Sequence, residues 1–110
     1  MKENEITMDI TDASVTAKSV TLDTPIVRGS TTIETLTIRK PSTGELRGVK
    51  LQALMESDVN SIITLLPRIT SPALTNGEVN SMDSSDLLAL GNEIIIFLLP
   101  KSVRADLEKA

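Results

Sequence analysis

The chain has 110 residues and a formal net charge of −4, with no cysteine, histidine, tryptophan or tyrosine. Disulfides and thiolate metal sites are excluded, the commonest general base and zinc ligand is missing, and an acidic balance disfavours phosphate-backbone binding. One domain is all this length allows, and its core must be aliphatic because Phe97 is the only aromatic side chain.

Residues 1–19 are rich in Thr, Asp, Glu and Ser, with acid where the apolar run of a signal peptide would begin. Ile6, Met8 and Ile10 alternate as in a short strand, but the stretch lacks turn punctuation and apolar surface. It reads as a flexible N-terminal tail. Residues 20–110 read as a single domain, with a hairpin over 20–40 and a helical part over 45–110.

Val20, Leu22 and Ile26 share one period-two face of a first strand. Pro25 has no amide to donate, which places this strand at a sheet edge or in a bulge. Arg28-Gly29-Ser30-Thr31 supplies a turn into a second strand ending at Lys40. Leu36 and Ile38 alternate there while Ile33 falls out of phase, which one extra residue near Glu34 or Thr35 would explain. β-Branched residues dominate both strands, so an antiparallel hairpin follows. A lone hairpin is barely stable in water, and helices must cover its apolar face.

Leu46, Val49, Leu51 and Leu54 predict a short helix or helical turn after Gly44, limited in length by Gly48. Ser57-Asp58 opens a second helix, along which Val59, Ile62, Ile63 and Leu66 recur at helical spacing. Pro67 removes an amide late in that helix, which should end by Thr70. Thr75 to Glu78 reads as a capping box over a short turn with Val79 and Met82. Asp83 then caps a final helix, with Asp86 in its first turn where a carboxylate suits the helix dipole.

That last helix carries Leu87, Leu88, Leu90, Ile94, Ile95 and Leu98 around more than one face. It must be buried on several sides or shared with a partner. Pro100 ends or kinks it, and 101–110 is a helical extension or a frayed tail. The fold class is α+β: an N-terminal β-hairpin packed against a small C-terminal bundle of about three helices. The apolar run from Ile94 to Leu99 is far too short to span a bilayer.

No catalytic, cofactor-binding or metal-ligating set emerges. Asp58, Asp83 and Asp86 sit at helix starts, where capping accounts for them without a metal. A serine paired with Lys40 or Lys50 is a formal nucleophile, but nothing places one in a strained turn. Glu45 and Arg47 read as a solvated pair at a helix entry. Arg39, Lys40, Arg47 and Lys50 form the only basic concentration, too small and too poor in aromatics for nucleic acid. They suit a rim that meets acidic positions on a partner helix. The aliphatic excess near the C-terminus is either a central core helix or a face that accepts an amphipathic helix from a client or a second copy. Candidate contact residues are Ile95, Ile96, Leu98 and Leu99, with Arg39, Lys40 and Arg47 as rim charges.

Three segments stand in order: L-T-I-R-K-P-S-T-G-E-L-R-G, then S-D-V-N-S-I-I-T-L-L-P-R-I-T, then S-P-A-L-T-N-G-E-V-N-S-M-D-S-S-D-L-L-A-L-G-N-E-I-I-I-F-L. Together, over about Val20 to Leu98, they resemble the phage tail assembly chaperone family of Mu-like and related contractile-tailed phages and their prophages. Each motif alone is modest; the order and spacing carry the resemblance. It implies a non-enzymatic protein without cofactor, working in the host cytoplasm and absent from the mature virion. Such a protein would bind the tape measure protein, keep it soluble and help recruit the tail tube protein. A longer, frameshifted form of the chain is also implied as a partner, and a homo-oligomer is compatible. Phe97-Leu98 is a pair that a slippery uridine run can encode, though other codons encode it too. Two other readings stay open: a small regulatory protein whose capped helices mimic a helix-turn-helix, and a minor tail structural protein that stays in the particle.

Overall fold

The computed structural model describes residues 16–109, so the tail before residue 16, with its Ile6, Met8 and Ile10 alternation, lies outside the described residues. Strand β1 (Ala17–Arg28) pairs antiparallel with β2 (Thr31–Arg39). Gly29 turns the chain between them at φ +61, ahead of Ser30, as the first central residue of a type II′ hairpin does. β1 begins ahead of Val20, within the stretch expected to be tail. Ala17, Lys18 and Ser19 pair with Arg39, Ile38 and Thr37. The backbone ladder holds these residues, so their polar side chains gave no signal of a strand.

The register shifts between Thr21↔Thr35 and Ile26↔Ile33. The irregularity therefore lies opposite Glu34, near its expected place, but the surplus residues are on β1. Leu22 to Pro25 face the single residue Glu34, and Pro25 sits where no ladder amide is required. Leu22, Ile33, Leu36 and Ile38 are buried on the sheet's inner face, flanked by Val20 and Ile26.

A 3-10 turn (Gly44–Leu46) follows β2, then α1 (Leu51–Met55), α2 (Val59–Ile69), α3 (Asn76–Asn80), α4 (Ser84–Leu98) and α5 (Lys101–Lys109). The architecture is α+β as expected, with a hairpin followed by five α-helices among the described residues, three of them of nine residues or more. The other two, α1 and α3, have five residues each. Gly48, at φ +80, separates the 3-10 turn from α1. Ser57, at φ 62, ends α1 as a Schellman motif: its amide bonds the carbonyl of Leu54 and the amide of Asp58 bonds that of Ala53. Asp58 then caps α2 through the Ser61 amide, and α2 stops at Ile69 just after Pro67.

One short strand was not foreseen. β3 (Thr70–Ser71) joins the free edge of β2 through Thr37↔Ser71 and Ile38↔Thr70. A two-residue strand has no periodicity to read. The core lies between the sheet and α1, α2 and α4, with Leu36, Ile38, Leu54, Leu65, Leu66, Ile69, Leu90 and Ile94 fully buried. At the crossing of α4 over α2, a Cβ on Gly91 would stand 2.7 Å from Ile62 Cδ1, so a larger residue there would force the Ile62 side chain to shift.

Candidate functional site

Polar side chains join the hairpin to the helical half at four places. At the hinge, Arg39 donates from both terminal nitrogens to the two carboxylate oxygens of Glu45, one bond at 2.6 Å, and to the Arg68 carbonyl at 2.9 Å. Arg68 in turn donates to the carbonyls of Glu45 (2.6 Å) and Arg47 (2.9 Å). The Arg39 guanidinium and the Ser42 amide hold the Glu45 carboxyl down at about 2. The ion-pair partner of Glu45 is thus Arg39, not Arg47 as expected. Sequence distance hid the pairing, because β2 and the 3-10 turn fold back on each other. Of the three expected rim charges, Lys40 and Arg47 are exposed and Arg39 is engaged in this knot.

At the hairpin tip, Arg28 donates to both oxygens of Glu78 (2.9 and 2.7 Å) and to the Ala73 carbonyl (2.9 Å). Glu78 also completes the capping box with Thr75, and these contacts lower its carboxyl to about 2. In the middle, Asp86 has a role beyond its helix dipole. It is only 3% exposed, and its carboxylate accepts the amides of Asp23 (2.7 Å) and Thr24 (3.1 Å) from the β1 bulge. Asp83 caps α4 through the Ser85 amide and accepts the Thr24 hydroxyl at 2.7 Å, which holds its carboxyl below the usual range. Further along, Lys18 pairs with Glu93 at 3.0 Å, so α4 runs antiparallel to β1. These carboxylates are occupied by structural donors, and no group of acidic side chains among the described residues has metal-site geometry.

The aliphatic surface divides between the two ends of α4. At the C-terminal end Ile94 and Phe97 are buried, while Ile95, Ile96, Leu98 and Leu99 are half-buried and Leu98 packs against the core. Pro100 separates α4 from α5, whose buried Arg104 lies over the Phe97 ring at 5.6 Å. At the N-terminal end Leu88 is 60% exposed, facing Val59 of α2, which is 52% exposed. Val59 was expected on the inner stripe of its helix but sits on the outside, one position past the cap. Between them runs a slot of about 180 Å³ whose lining includes Ile62, Leu87 and Gly91. Leu51 and Met55 of α1 are exposed as well. Sequence reasoning passed over this slot. The available signal was the Leu87-Leu88 pair, since adjacent helical residues cannot both face one core.

A family model described as phage tail assembly chaperone proteins, E, or 41 or 14, matches residues 19–98. The chain is 47% identical over 85 residues to tail assembly protein E of Escherichia phage P2, covering 77% of this chain and 93% of that relative. It is 46% identical over 80 residues to tail assembly protein E' of the same phage, covering 73% of this chain and 56% of E'. The chain thus spans little more than half the length of E'. No solved structure matches. The matched stretch takes in the hairpin, the hinge knot, the Asp86 anchor and all of α4, and the chain belongs to the phage tail assembly chaperone family.

Proposed function

We propose that this tail assembly chaperone acts without covalent chemistry or a cofactor, by binding the tape measure protein. It keeps that long helical chain soluble in the host cytoplasm, aids assembly of the tail tube around it, and is absent from the finished particle. Membership of the family supports the assembly role. The observation that carries the binding mode is the uncovered aliphatic surface of α4, a helix that lies within the family match. Covering such surface with a client helix gains roughly 25 cal/mol per Å² of apolar area. Leu88 and the half-buried Ile95, Ile96, Leu98 and Leu99 supply the surface, with Lys40 and Arg47 as exposed rim charges near the hinge.

A longer form of the chain belongs to the same reading. The family match stops at Leu98, beside the Phe97-Leu98 pair, and P2 E' is a longer relative that matches this chain. A frameshift there would keep the hairpin and α4 and replace α5.

The direct test is co-expression with the tape measure gene of the same phage. The chaperone should raise the soluble fraction of the tape measure protein and co-purify with it. Ile96→Asp with Leu99→Asp should weaken this without loss of helical circular dichroism. A tape measure protein equally insoluble with and without the chaperone would overturn the reading. Peptides of the chain found by mass spectrometry at stoichiometric level in purified virions would assign it to the tail structure instead.

A further inference from the structure

We propose that the slot between the N-terminal ends of α2 and α4 seats one large apolar side chain of a client helix whose flanking positions carry Lys or Arg. This rests on the chaperone reading and specifies the contact. The slot exists because Gly91 lets α4 approach Ile62 of α2 so closely that the two residues form a floor, with Val59 and Leu88 standing as exposed walls. Its volume, about 180 Å³, is of the size at which an apolar cavity takes up a benzene-sized group. It therefore suits one anchor residue, not a whole helix face. Anchors of this kind carry most of the energy of an interface.

The rim decides what flanks the anchor. Asp58 stands between Ser57 and Val59, both slot residues. It caps the N-terminus of α2, which offsets about half a charge and leaves the remainder negative. Exposed Glu56, just before Ser57, adds a full negative charge, while the slot lining itself is uncharged. An acidic rim around an apolar slot favours a basic-flanked helix and disfavours an acidic one. It also disfavours a second copy, because a two-fold interface would set this rim against itself.

The test uses the full chain and two synthetic amphipathic peptides of about 15 residues or more, long enough to be helical. They share one Leu stripe and differ in Lys or Glu at the flanking positions. By fluorescence anisotropy at low salt, the Lys peptide should bind about tenfold tighter, a difference of about 1.4 kcal/mol. The surface substitutions Val59→Ala with Leu88→Ala should weaken the Lys peptide at least as much. Glu56→Lys should narrow the gap between the two peptides. Equal affinity for both peptides, or binding untouched by Val59→Ala with Leu88→Ala, would overturn the proposal. So would a dimer that those substitutions dissolve in sedimentation. The same variants in the tape measure assay separate the two claims. If they still solubilise the tape measure protein, the slot is not the client site and the chaperone reading stands. If the wild type binds the Lys peptide but leaves the tape measure protein insoluble, the chaperone reading fails and the slot remains a basic-helix site.

Discussion

Both ends of α4 carry large aliphatic side chains, and these meet different fates. The C-terminal end is the most apolar run in the chain, yet Ile94 and Phe97 are buried and the rest are half-covered beside α5. The N-terminal end is more polar in sequence but leaves Leu88 largely open to water. The difference lies in how each end is held. The N-terminal end is fastened by a carboxylate on one face, Asp86 to the β1 bulge, which requires nothing of the opposite face. The C-terminal end is held by apolar packing, which buries what it uses. Apolar density in a sequence therefore does not locate the exposed apolar patch.

The comparison breaks most readily at Leu90. Buried and fully packed, it should lose about 2–5 kcal/mol of stability as Leu90→Ala in chemical denaturation. Asp86→Ala should follow, at about 3 kcal/mol, because two amides lose a charged acceptor within the fold. Asp86→Asn, which keeps one carbonyl oxygen, should lose less. If Asp86→Ala is neutral, the polar anchor is not what sets α4 on the sheet.

Gly91→Ala comes next. Removing a mid-helix glycine gains about 1 kcal/mol, but overpacking against Ile62 costs about 1–3 kcal/mol. A net loss of about 1 kcal/mol is expected, relieved by adding Ile62→Val, and the slot should narrow with it. Acid should have a smaller effect. Glu45 and Glu78 are depressed from 4.5 to about 2 in the folded state, so their contribution is present above the ordinary carboxylate value and lost as pH falls toward 2. Both ion pairs are partly exposed, so salt screens them and the loss of Tm should be slight. In Glu45→Gln with Glu78→Gln that part of the pH dependence should vanish. Smallest of all is Leu88→Ala, within about 0.5 kcal/mol in stability. A large destabilisation there would mean that Leu88 is a core residue and that no client surface exists at this end.

Much of the fold was legible because its signals are local. The hairpin, the caps at Asp58, Thr75 and Asp83, the end of α2 after Pro67 and the breaks at Gly48 and Pro100 each depend on a few neighbouring residues. The candidate site was legible in kind, as an aliphatic surface on the last long helix, but Ile95, Ile96, Leu98 and Leu99 are half-covered while Val59 and Leu88 stand open. Periodicity says which residues share a helix face, not which face a neighbouring element will cover.

By itself, the sequence determined an α+β chain with an aliphatic core, no histidine or cysteine chemistry, helix boundaries set by caps and prolines, and the family to which it belongs. Tertiary structure alone decided that Asp86 holds the β1 bulge, that Arg39 takes Glu45, that Thr70 and Ser71 complete the sheet, and that Gly91 opens a slot against Ile62. The reason is range: caps and turns are satisfied within a few residues, whereas these contacts join partners distant in sequence or in different elements, and only packing brings them together.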